Sequence, residues 1–437
     1  MRISHIDLWH VQVPLHGTFY PSWIPGFPQT ENRFTLIRLR TDDGLEGFSA
    51  GPAMGHERQG LGSLLGPYLL GERADDLVTI RQRVREMGYL GVRLGWIEAA
   101  CWDLIGKARK LPVWRLLAPD APTTGDVKLY LSTGQVRAGA EHARVIEAAL
   151  AQGFDTVKLR VHSPTLEEDV AQMREARRLG GDAVHLGVDA NQAWRVGVVT
   201  DIAAWSYERA LTFCKEMHQL RFDWVEEPLA MDDYAGLSKL REAVEVDLTG
   251  GELNNQGLPE FGVMLERRCY DVYQPDAVFT GGIAETWQII QRVKAAGARY
   301  TPHTWTNGIG FAINLQLYAA SPWRADSKLE YPDDAPWVPQ ARDGLLAEPF
   351  LHQRGRLPLP TKPGLGFQLD ARQLRRFGSH FFKATKLRMA VQAVMDKGIA
   401  TAKELGAKRD ARMAERSAAL DAMTARGEDP VTASLVD

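Results

Sequence analysis

The sequence has few of the features that mark secreted, membrane-bound or cysteine-metal proteins. Its 437 residues include only three cysteines, Cys101, Cys214 and Cys269, which are widely spaced and odd in number. Neither a disulfide framework nor a cysteine-based metal site is therefore expected. No apolar run reaches the roughly 18 residues that cross a membrane, and polar residues interrupt the N-terminal segment, so a signal peptide is not expected. These absences favour a cytoplasmic protein without a membrane partner.

Charge of one sign is also lacking, since 52 Lys and Arg stand against 55 Asp and Glu, with a net charge of -3. Such a chain has no strong basic field, and nucleic acid is therefore not an expected partner. With 45% hydrophobic and 24% charged residues, the composition is that of an ordinary globular protein. The length allows two or three domains, or one large core with accessory segments.

The first 125 residues have the pattern of a mixed α+β unit. Residues 3–13 and 34–40 alternate between apolar and polar side chains as strands do, and Asp42-Asp43-Gly44 predicts a hairpin after the second run. Residues 77–117 instead carry apolar side chains at helical spacing. We therefore expect a small sheet with packed helices before the main domain.

Eight short β-rich runs alternate with amphipathic helical segments from Val127 onward. Eight strand–helix units in about 205 residues favour a (β/α)8 barrel, at the short end of its size range. A doubly wound sheet is the competing architecture, but it would need a glycine-rich phosphate loop after its first strand, which residues 131–135 do not supply. The eight runs are 127–131, 156–161, 184–190, 224–227, 246–249, 272–274, 299–302 and 328–331.

Acidic residues end three successive predicted strands. Asp189, Glu226 and Glu252 each lie at the end of a run, about one strand–helix unit apart, and consecutive strand ends are neighbours on the face where barrels keep their active sites. One such acid alone is usually a surface residue, but three converging carboxylates would repel one another unless a cation lay between them. An oxygen-only ligand set predicts a hard ion, Mg²⁺ first and Mn²⁺ as the alternative.

Other ionisable residues end the remaining strands. Period-two alternation points Lys158 and Arg160 to the same side of their strand. Asp276 and His303 end adjacent strands, which suits a base and the acid that orients it, although a single histidine is more often structural. Glu330 adds a carboxyl group at the end of the eighth strand.

This constellation resembles the enolase superfamily and, within it, the mandelate racemase subgroup. The resemblance covers residues 1 to 378 and includes two further segments, the helical stretch 97–108 and the Pro-Gly-Leu-Gly run within 362–369. It implies a modified (β/α)8 TIM-like barrel under an α+β capping domain built from both ends of the chain. We therefore expect capping residues 1–125, a barrel of 126–345, a return to the cap over 346–379 and a helical extension of 380–437.

The resemblance also implies a set of roles. One Mg²⁺ per subunit would be held by Asp189, Glu226 and Glu252, and His303 with Asp276 would form a base dyad. Glu330 would hydrogen-bond a small carboxylate substrate in its protonated form. Proteins of this subgroup are commonly homo-oligomers, which is the assembly expected here.

The reaction that the resemblance implies is abstraction of the proton α to a carboxylate. The racemase has a lysine as its second base where this chain has Arg160, whose pKa above about 12 makes it a poor base. That favours dehydration of an acid sugar to a 2-keto-3-deoxy acid. The alternatives are a racemase or epimerase of a 2-hydroxy acid and a catalytically silent binding or assembly protein. A muconate-type cycloisomerase would have a lysine in place of Asp276.

The segments that would choose the substrate are the capping loops. Residues 16–33 are rich in aromatic residues and proline and form either a stiff lid or an apolar core plug. Trp23, His56, Arg58 and Asn191 are the candidate substrate-binding residues.

The region from residue 380 combines apolar and charged residues at helical spacing. It is either a helix that covers another surface or a solvated tail. Because the predicted site needs nothing beyond Phe377, we predict that this region packs on its own cap or on a neighbouring subunit and serves assembly.

Overall fold

The computed structural model describes residues 1–53, 61–89, 93–199 and 202–435, and the predicted residues His56 and Arg58 lie outside these ranges. Across the described part of the chain, no helix is both long and apolar enough to cross a membrane. The strands are β1 (Ile3–Phe19), β2 (Gln29–Thr41), β3 (Glu46–Pro52), β4 (Asp126–Ser132), β5 (Thr156–Arg160), β6 (His185–Asp189), β7 (Trp224–Glu226), β8 (Asp247–Gly250), β9 (Val272–Tyr273), β10 (Arg299–Tyr300), β11 (Leu329–Pro332), β12 (Arg356–Pro358) and β13 (Gly378–Thr385).

The helices surround the two sheets that these strands build. They are α1 (Leu61–Leu69), α2 (Leu77–Gly88), α3 (Glu98–Arg109), α4 (Val113–Leu117), α5 (Gly139–Ala151), α6 (Leu166–Gly180), α7 (Tyr207–Gln219), α8 (Tyr234–Ala243), α9 (Leu258–Glu266), α10 (Ile283–Ala295), α11 (Gly308–Ala320), α12 (Pro339–Arg342), α13 (Ala371–Phe377), α14 (Lys386–Lys397), α15 (Ile399–Ala425) and α16 (Pro430–Ala433).

The cap contains a four-stranded antiparallel sheet in the order β13-β1-β2-β3. Gly44 has φ +88° in the turn between β2 and β3, a conformation that glycine adopts without strain and that fits the predicted hairpin. The sheet differs from the expectation at its edge, because residues 378–385 form a strand and not the start of a helical extension. Phe382 and Ala384 of that strand are buried, which explains why it stays on the cap.

The barrel consists of eight parallel strands in the order β10-β9-β8-β7-β6-β5-β4-β11, and each predicted β-rich run overlaps one of them. The last strand of the barrel, β11, pairs with the first, β4. Helix α11 is buried on all sides and therefore carries no polar stripe by which the sequence could reveal it. Two hydrogen bonds join the cap loop at Ser22 to the carboxyl ends of β4 and β6, through Gly134 and Asn191.

The C-terminal region crosses the cap of its own chain. On α15, the Arg416 guanidinium donates two hydrogen bonds of 2.8 Å to the carboxylate of Asp76, and Leu420 is buried. At the end of the region Val431 is buried, and Arg81 of α2 donates to the Ser434 carbonyl at 3.0 Å. Packing on the cap was one of the two predicted alternatives, whereas a role in assembly stays a prediction.

Deleting the chain after Thr385 is expected to lower the melting temperature by at least about 5 °C and to leave metal binding intact. The deletion removes the burial of Leu420 and Val431, and burying each of these side chains stabilises the fold by about 1.5–3 kcal/mol. A loss of one kcal/mol lowers the melting temperature by about 2–4 °C in a domain of 150–250 residues. Calorimetry and light scattering on the truncated protein check this. Unchanged melting and assembly with lost activity would place the region in the active site instead.

Candidate active site

The parallel ladders of the barrel bring the predicted site residues to one level. Arg160 at the end of β5 pairs with Asp189 at the end of β6, and Asp189 pairs with Glu226 at the end of β7. Glu252 lies two residues beyond the end of β8. The three carboxylates are at least nine-tenths buried, as is Lys158, which is two residues before Arg160 on the same side of β5. The structure therefore brings these five residues together.

Lys158 lies at the centre of this ring. Its Nζ is 2.5 Å from Glu226 Oε1, 2.7 Å from Glu330 Oε1 and 3.7 Å from Asp189 Oδ2. Burial disfavours its charge, but the carboxylates of Glu226 and Glu330 raise the pKa of Lys158 above its usual value. Lys158 is therefore a fixed cation at the carboxyl end of the barrel.

The carboxylates of Asp189, Glu226 and Glu252 offer oxygen atoms alone, which are the donors that a hard divalent cation prefers. Burial raises the pKa of Asp189 to about 6 and Glu226 contributes by repulsion, against the attraction of Arg160; a bound cation would relieve that repulsion. Within the described ranges, however, no group of three His, Cys, Asp or Glu side chains is arranged to hold a metal. The donor chemistry fits Mg²⁺, while Asp189 and Glu226 are ion-paired to Lys158 or Arg160 and Glu252 lies against His303.

His303 and Asp276 form the predicted pair. His303 Nδ1 lies 2.9 Å from Asp276 Oδ2, and the other oxygen of Asp276 accepts hydrogen bonds from Asn314 Nδ2 at 2.7 Å and the Val278 amide at 2.9 Å. Nε2 of His303 points the other way and is 3.3 Å from Glu252 Oε2. Burial lowers the pKa of His303, but Glu252 and the hydrogen bond to Asp276 together raise it to about 9.

Glu330 also lies in the ring, in a different state from the expected one. Ser132 Oγ donates to its Oε1 at 2.8 Å, and the Thr304 amide donates to its Oε2 at 2.6 Å. Although burial favours the neutral acid, Lys158 and His303 lower the pKa of Glu330 to about 2. Because these partners stabilise the anion, the expectation of a protonated Glu330 is wrong for this arrangement.

Arg160 is held on every side. Its Nε donates to the Thr133 carbonyl at 2.5 Å, and its Nη1 donates to the carboxylate of Asp189. The guanidinium carbon lies 5.7 Å from the Trp23 ring centroid and 5.5 Å from that of Trp305. Burial opposes its charge, but Asp189 above all raises the pKa of Arg160. This guanidinium is therefore unsuited to accept a proton.

Two of the four candidate substrate-binding residues lie at the ring. Asn191 has φ +48°, and its Oδ1 accepts a 2.6 Å hydrogen bond from Ser22 Oγ and is 3.4 Å from Arg160 Nη1. Trp23 packs on Arg160, as given above. The aromatic segment of the cap divides between the two predicted roles, since Phe19 is buried while Tyr20 is half exposed.

Three residues of the site were missed by the sequence analysis. Ser132 is the last residue of β4 and contacts Glu330, and Gln274 follows β9 and donates to Glu226 Oε2 at 2.8 Å. Their positions at strand ends were a usable signal. Asn314, which holds Asp276, lies on the wholly buried α11, where the sequence gives no sign of which side faces the ring.

A cavity of about 110 Å³ opens onto the ring. Among the described residues that line it, the ionisable ones are Arg160, Glu252 and His303. The site thus offers a substrate one histidine, one carboxylate and one guanidinium, with aromatic side chains between them.

Family models match both units of the chain. Residues 141–374 match the enolase C-terminal domain-like model, and residues 17–118 match the mandelate racemase / muconate lactonizing enzyme N-terminal domain. The chain belongs to this family. The predicted resemblance is therefore confirmed, and so is the predicted fold class of a capping domain with a (β/α)8 barrel. The prediction that the protein is an enzyme is confirmed as well.

The relatives of this chain have different activities. The chain is 27% identical over 362 residues to the arabinonate dehydratase of Saccharolobus solfataricus, which covers 79% of this chain and 91% of that enzyme. It is 24% identical over 383 residues to the L-Ala-D/L-Glu epimerase of Bacillus subtilis, covering 84% and 96%. A crystal structure of an L-talarate/galactarate dehydratase mutant, liganded with Mg and L-glucarate, is similar with a TM-score of 0.73 and 25% identity, over 88% of this chain and 94% of that one.

Proposed function

We propose that this family member is a Mg²⁺-dependent dehydratase that converts an acid sugar to a 2-keto-3-deoxy acid. The observation that carries the proposal is the state of Arg160, whose guanidinium is bound by Asp189 and Thr133 and packed against two indole rings. A racemase needs a base on each face of the α-carbon, and His303 is the one suitable base among the described residues that line the cavity. The single base supports elimination over racemisation. Dehydratases among the relatives, such as the arabinonate dehydratase, support the same hydro-lyase chemistry.

Asp189, Glu226 and Glu252 are the residues that would hold the metal. A bound Mg²⁺, or Mn²⁺ in its place, would stabilise the negative charge that develops on the substrate carboxylate when the α-proton leaves. Lys158 contributes a fixed positive charge close to the same carboxyl end of the barrel. Arg160 adds a second positive charge, because its packing against Trp23 and Trp305 holds the guanidinium beside the cavity.

His303 moves the protons. Asp276 at Nδ1 holds the tautomer that carries a proton there. Nε2 lies 3.3 Å from Glu252, which helps to raise the pKa of His303 to about 9; a cation held by Glu252 would compete for that carboxylate and leave Nε2 able to accept the α-proton. The C2–H bond breaks, and its electron pair passes to the carboxylate as an enediolate. When the C3–OH bond then breaks, the imidazolium of His303 is the acid suited to protonate the departing hydroxide, because Arg160 holds its protons too tightly. The enol product becomes the 2-keto-3-deoxy acid, and one water is released.

Glu330 and Asn191 have supporting roles in this proposal. Glu330 is an anion that keeps Lys158 charged and in place, and Asn191 links the Ser22 loop to the ring. The second candidate function is a racemase or epimerase of a 2-hydroxy acid. It is supported by the similarity to the L-Ala-D/L-Glu epimerase. Arg160 would have to serve as its second base.

A panel of monoacid and diacid sugars with Mg²⁺ tests the proposal. We expect at least one sugar acid to yield a 2-keto acid, detected as its semicarbazone, at a rate that scales with enzyme concentration. α-Deuterium exchange in D₂O without keto acid would instead indicate the epimerase. If no acid gave either keto acid or α-deuterium exchange, both reactions would be contradicted.

A further inference from the structure

The loop between β9 and α10 carries Asp276, the partner of His303. Within this loop, the Thr280 amide donates a hydrogen bond of 2.8 Å to the Asp276 carbonyl. The Gly282 amide donates one of 3.0 Å to the Ala277 carbonyl. These bonds make the loop a compact turn, in which a displacement of Gly282 also displaces Asp276. Whatever holds Gly282 therefore helps to set the position of His303.

The capping domain meets this loop through glycines. A Cβ atom added at Gly95, just before α3, would lie 2.6 Å from the Cα atom of Gly281, and one added at Gly282 would lie 2.6 Å from the Gly95 carbonyl oxygen. Both distances leave no room for a side chain. Gly282 also has φ +93°, a conformation that suits glycine. The two backbones therefore lie in direct contact.

Glu98, the first residue of α3, places a carboxyl group at the same contact. It is 1% exposed. Its Oε1 accepts a hydrogen bond of 3.1 Å from Trp102 Nε1, and its Oε2 accepts one of 3.3 Å from the Ala284 amide in the first turn of α10. The N-cap residue of α10 is Gly282, which has no side chain to accept from the amides of that turn. A residue of the capping domain therefore caps a helix of the barrel.

Both hydrogen bonds of Glu98 suit the ionised form. A carboxylate accepts at each oxygen, whereas the neutral acid turns its own O–H donor towards one of the two N–H groups. Burial raises the pKa of Glu98 to about 7, against the attraction of Arg81 on α2, and Glu285 on α10 adds repulsion. Arg85 of α2 lies 3.7 Å from Glu285, and burial raises the pKa of the neighbouring Cys101 thiol, which stays neutral. The strength with which Glu98 holds the loop therefore changes near neutral pH.

We propose that Glu98 is a positioning residue for the reaction: its ionised carboxylate holds the loop between β9 and α10, and through that loop it keeps Asp276 and His303 in the geometry for proton abstraction. The proposal rests on the proposed function for the role of His303. It gives the capping domain a second connection to the ring, separate from the hydrogen bonds of the loop at Ser22.

The ratio of kcat between the unaltered protein and Glu98→Gln, followed from acid to alkaline pH, is the first test. Glutamine keeps the size of the side chain and imitates the protonated acid. Because the titration of His303 affects both proteins, it cancels in the ratio to first order. At alkaline pH we expect kcat for keto-acid formation to be about 10-fold lower in the variant, since small misplacements of catalytic groups cost up to about 100-fold. The ratio should fall towards one as the pH falls through about 7.

Glu72→Gln is the matched control, because Glu72 is also a buried carboxyl group of the capping domain whose pKa is raised by burial. Its ratio should be close to one at every pH. For Glu98→Gln, a ratio of one at every pH would show that the loop does not need Glu98. A large ratio that did not change with pH would show a structural role without the ionised form. Either result would overturn the proposal.

Arg81→Gln keeps Glu98 and removes the cation that favours its ionised form, so it tests the proposal even if Glu98→Gln does not fold. The pKa of Glu98 should rise in this variant. The ratio of kcat between the unaltered protein and Arg81→Gln should therefore be largest just above pH 7 and return towards one at both ends of the pH range. A ratio that did not change with pH would contradict the proposal.

Hydrogen–deuterium exchange of the peptide that contains residues 276–284, measured without substrate, separates this proposal from the proposed function. At alkaline pH, the amides of this peptide should exchange at least about 3-fold faster in Glu98→Gln than in the unaltered protein, as expected for a weakened local structure. Unchanged exchange would overturn the proposal. If no sugar acid gave keto acid, the proposed function would be contradicted, and the exchange would still decide whether Glu98 holds the loop.

Discussion

The His303→Asn variant is expected to form keto acid about 10²- to 10⁴-fold more slowly than the unaltered protein, the range by which a positioned acid or base accelerates a reaction. The amide of asparagine cannot take up the α-proton at neutral pH, and it leaves the Asp276 carboxylate without its imidazole partner. Exchange of the α-proton with solvent should fall by the same factor. Keto-acid formation and NMR of the substrate in D₂O measure both rates.

The control for this variant is His185→Asn, which makes the same substitution at an exposed position at the opposite end of β6. It should keep full activity and the same melting temperature. If His303→Asn kept its α-proton exchange while it lost keto-acid formation, Lys158 or Arg160 would have to be the base. The single-base account would then be wrong.

Removal of the metal is expected to reduce turnover below detection. Without the hard cation, Lys158 and Arg160 alone would balance the negative charge that develops on the substrate. EDTA treatment should abolish keto-acid formation, and Mg²⁺ should restore it. In calorimetry, Glu252→Gln should weaken Mg²⁺ binding at least about 100-fold.

Glu266→Gln is the matched control, because Glu266 is an exposed carboxylate at the end of α9. It should bind Mg²⁺ and turn over substrate like the unaltered protein. Turnover that continued in EDTA would show that Asp189, Glu226 and Glu252 do not serve as metal ligands. The ion pairs of Lys158 with Glu226 and Asp189 would then be the permanent state of the ring.

The sequence predicted the barrel well because each strand carries its own signal. β-rich runs alternate with amphipathic helices, and the acids that end them repeat with the strand–helix unit, so the level at which Asp189 and Glu226 meet follows from the parallel register. Helix α11 had no such signal. It is buried on all sides, so the sequence did not show that Asn314 on it meets Asp276.

The charge state of the ring was also beyond the sequence. Glu330 was placed at a strand end correctly, but its ionisation depends on the 2.7 Å distance to Lys158 and on the donors from Ser132 and Thr304. These are contacts between residues far apart in the chain. Strand β13 is a similar case, because its place on the cap depends on a partner, β1, from the other end of the sequence.

The stereochemistry at C2 tests the central claim most directly. Incubation of the best sugar acid of the panel with the protein and Mg²⁺ in D₂O, followed by ¹H NMR, separates the two outcomes of α-proton abstraction. With His303 as the single base and Arg160 held by Asp189 and Thr133, the account predicts that a 2-keto-3-deoxy acid accumulates and that the C2 epimer of the substrate does not. Accumulation of the deuterated C2 epimer without keto acid would contradict it.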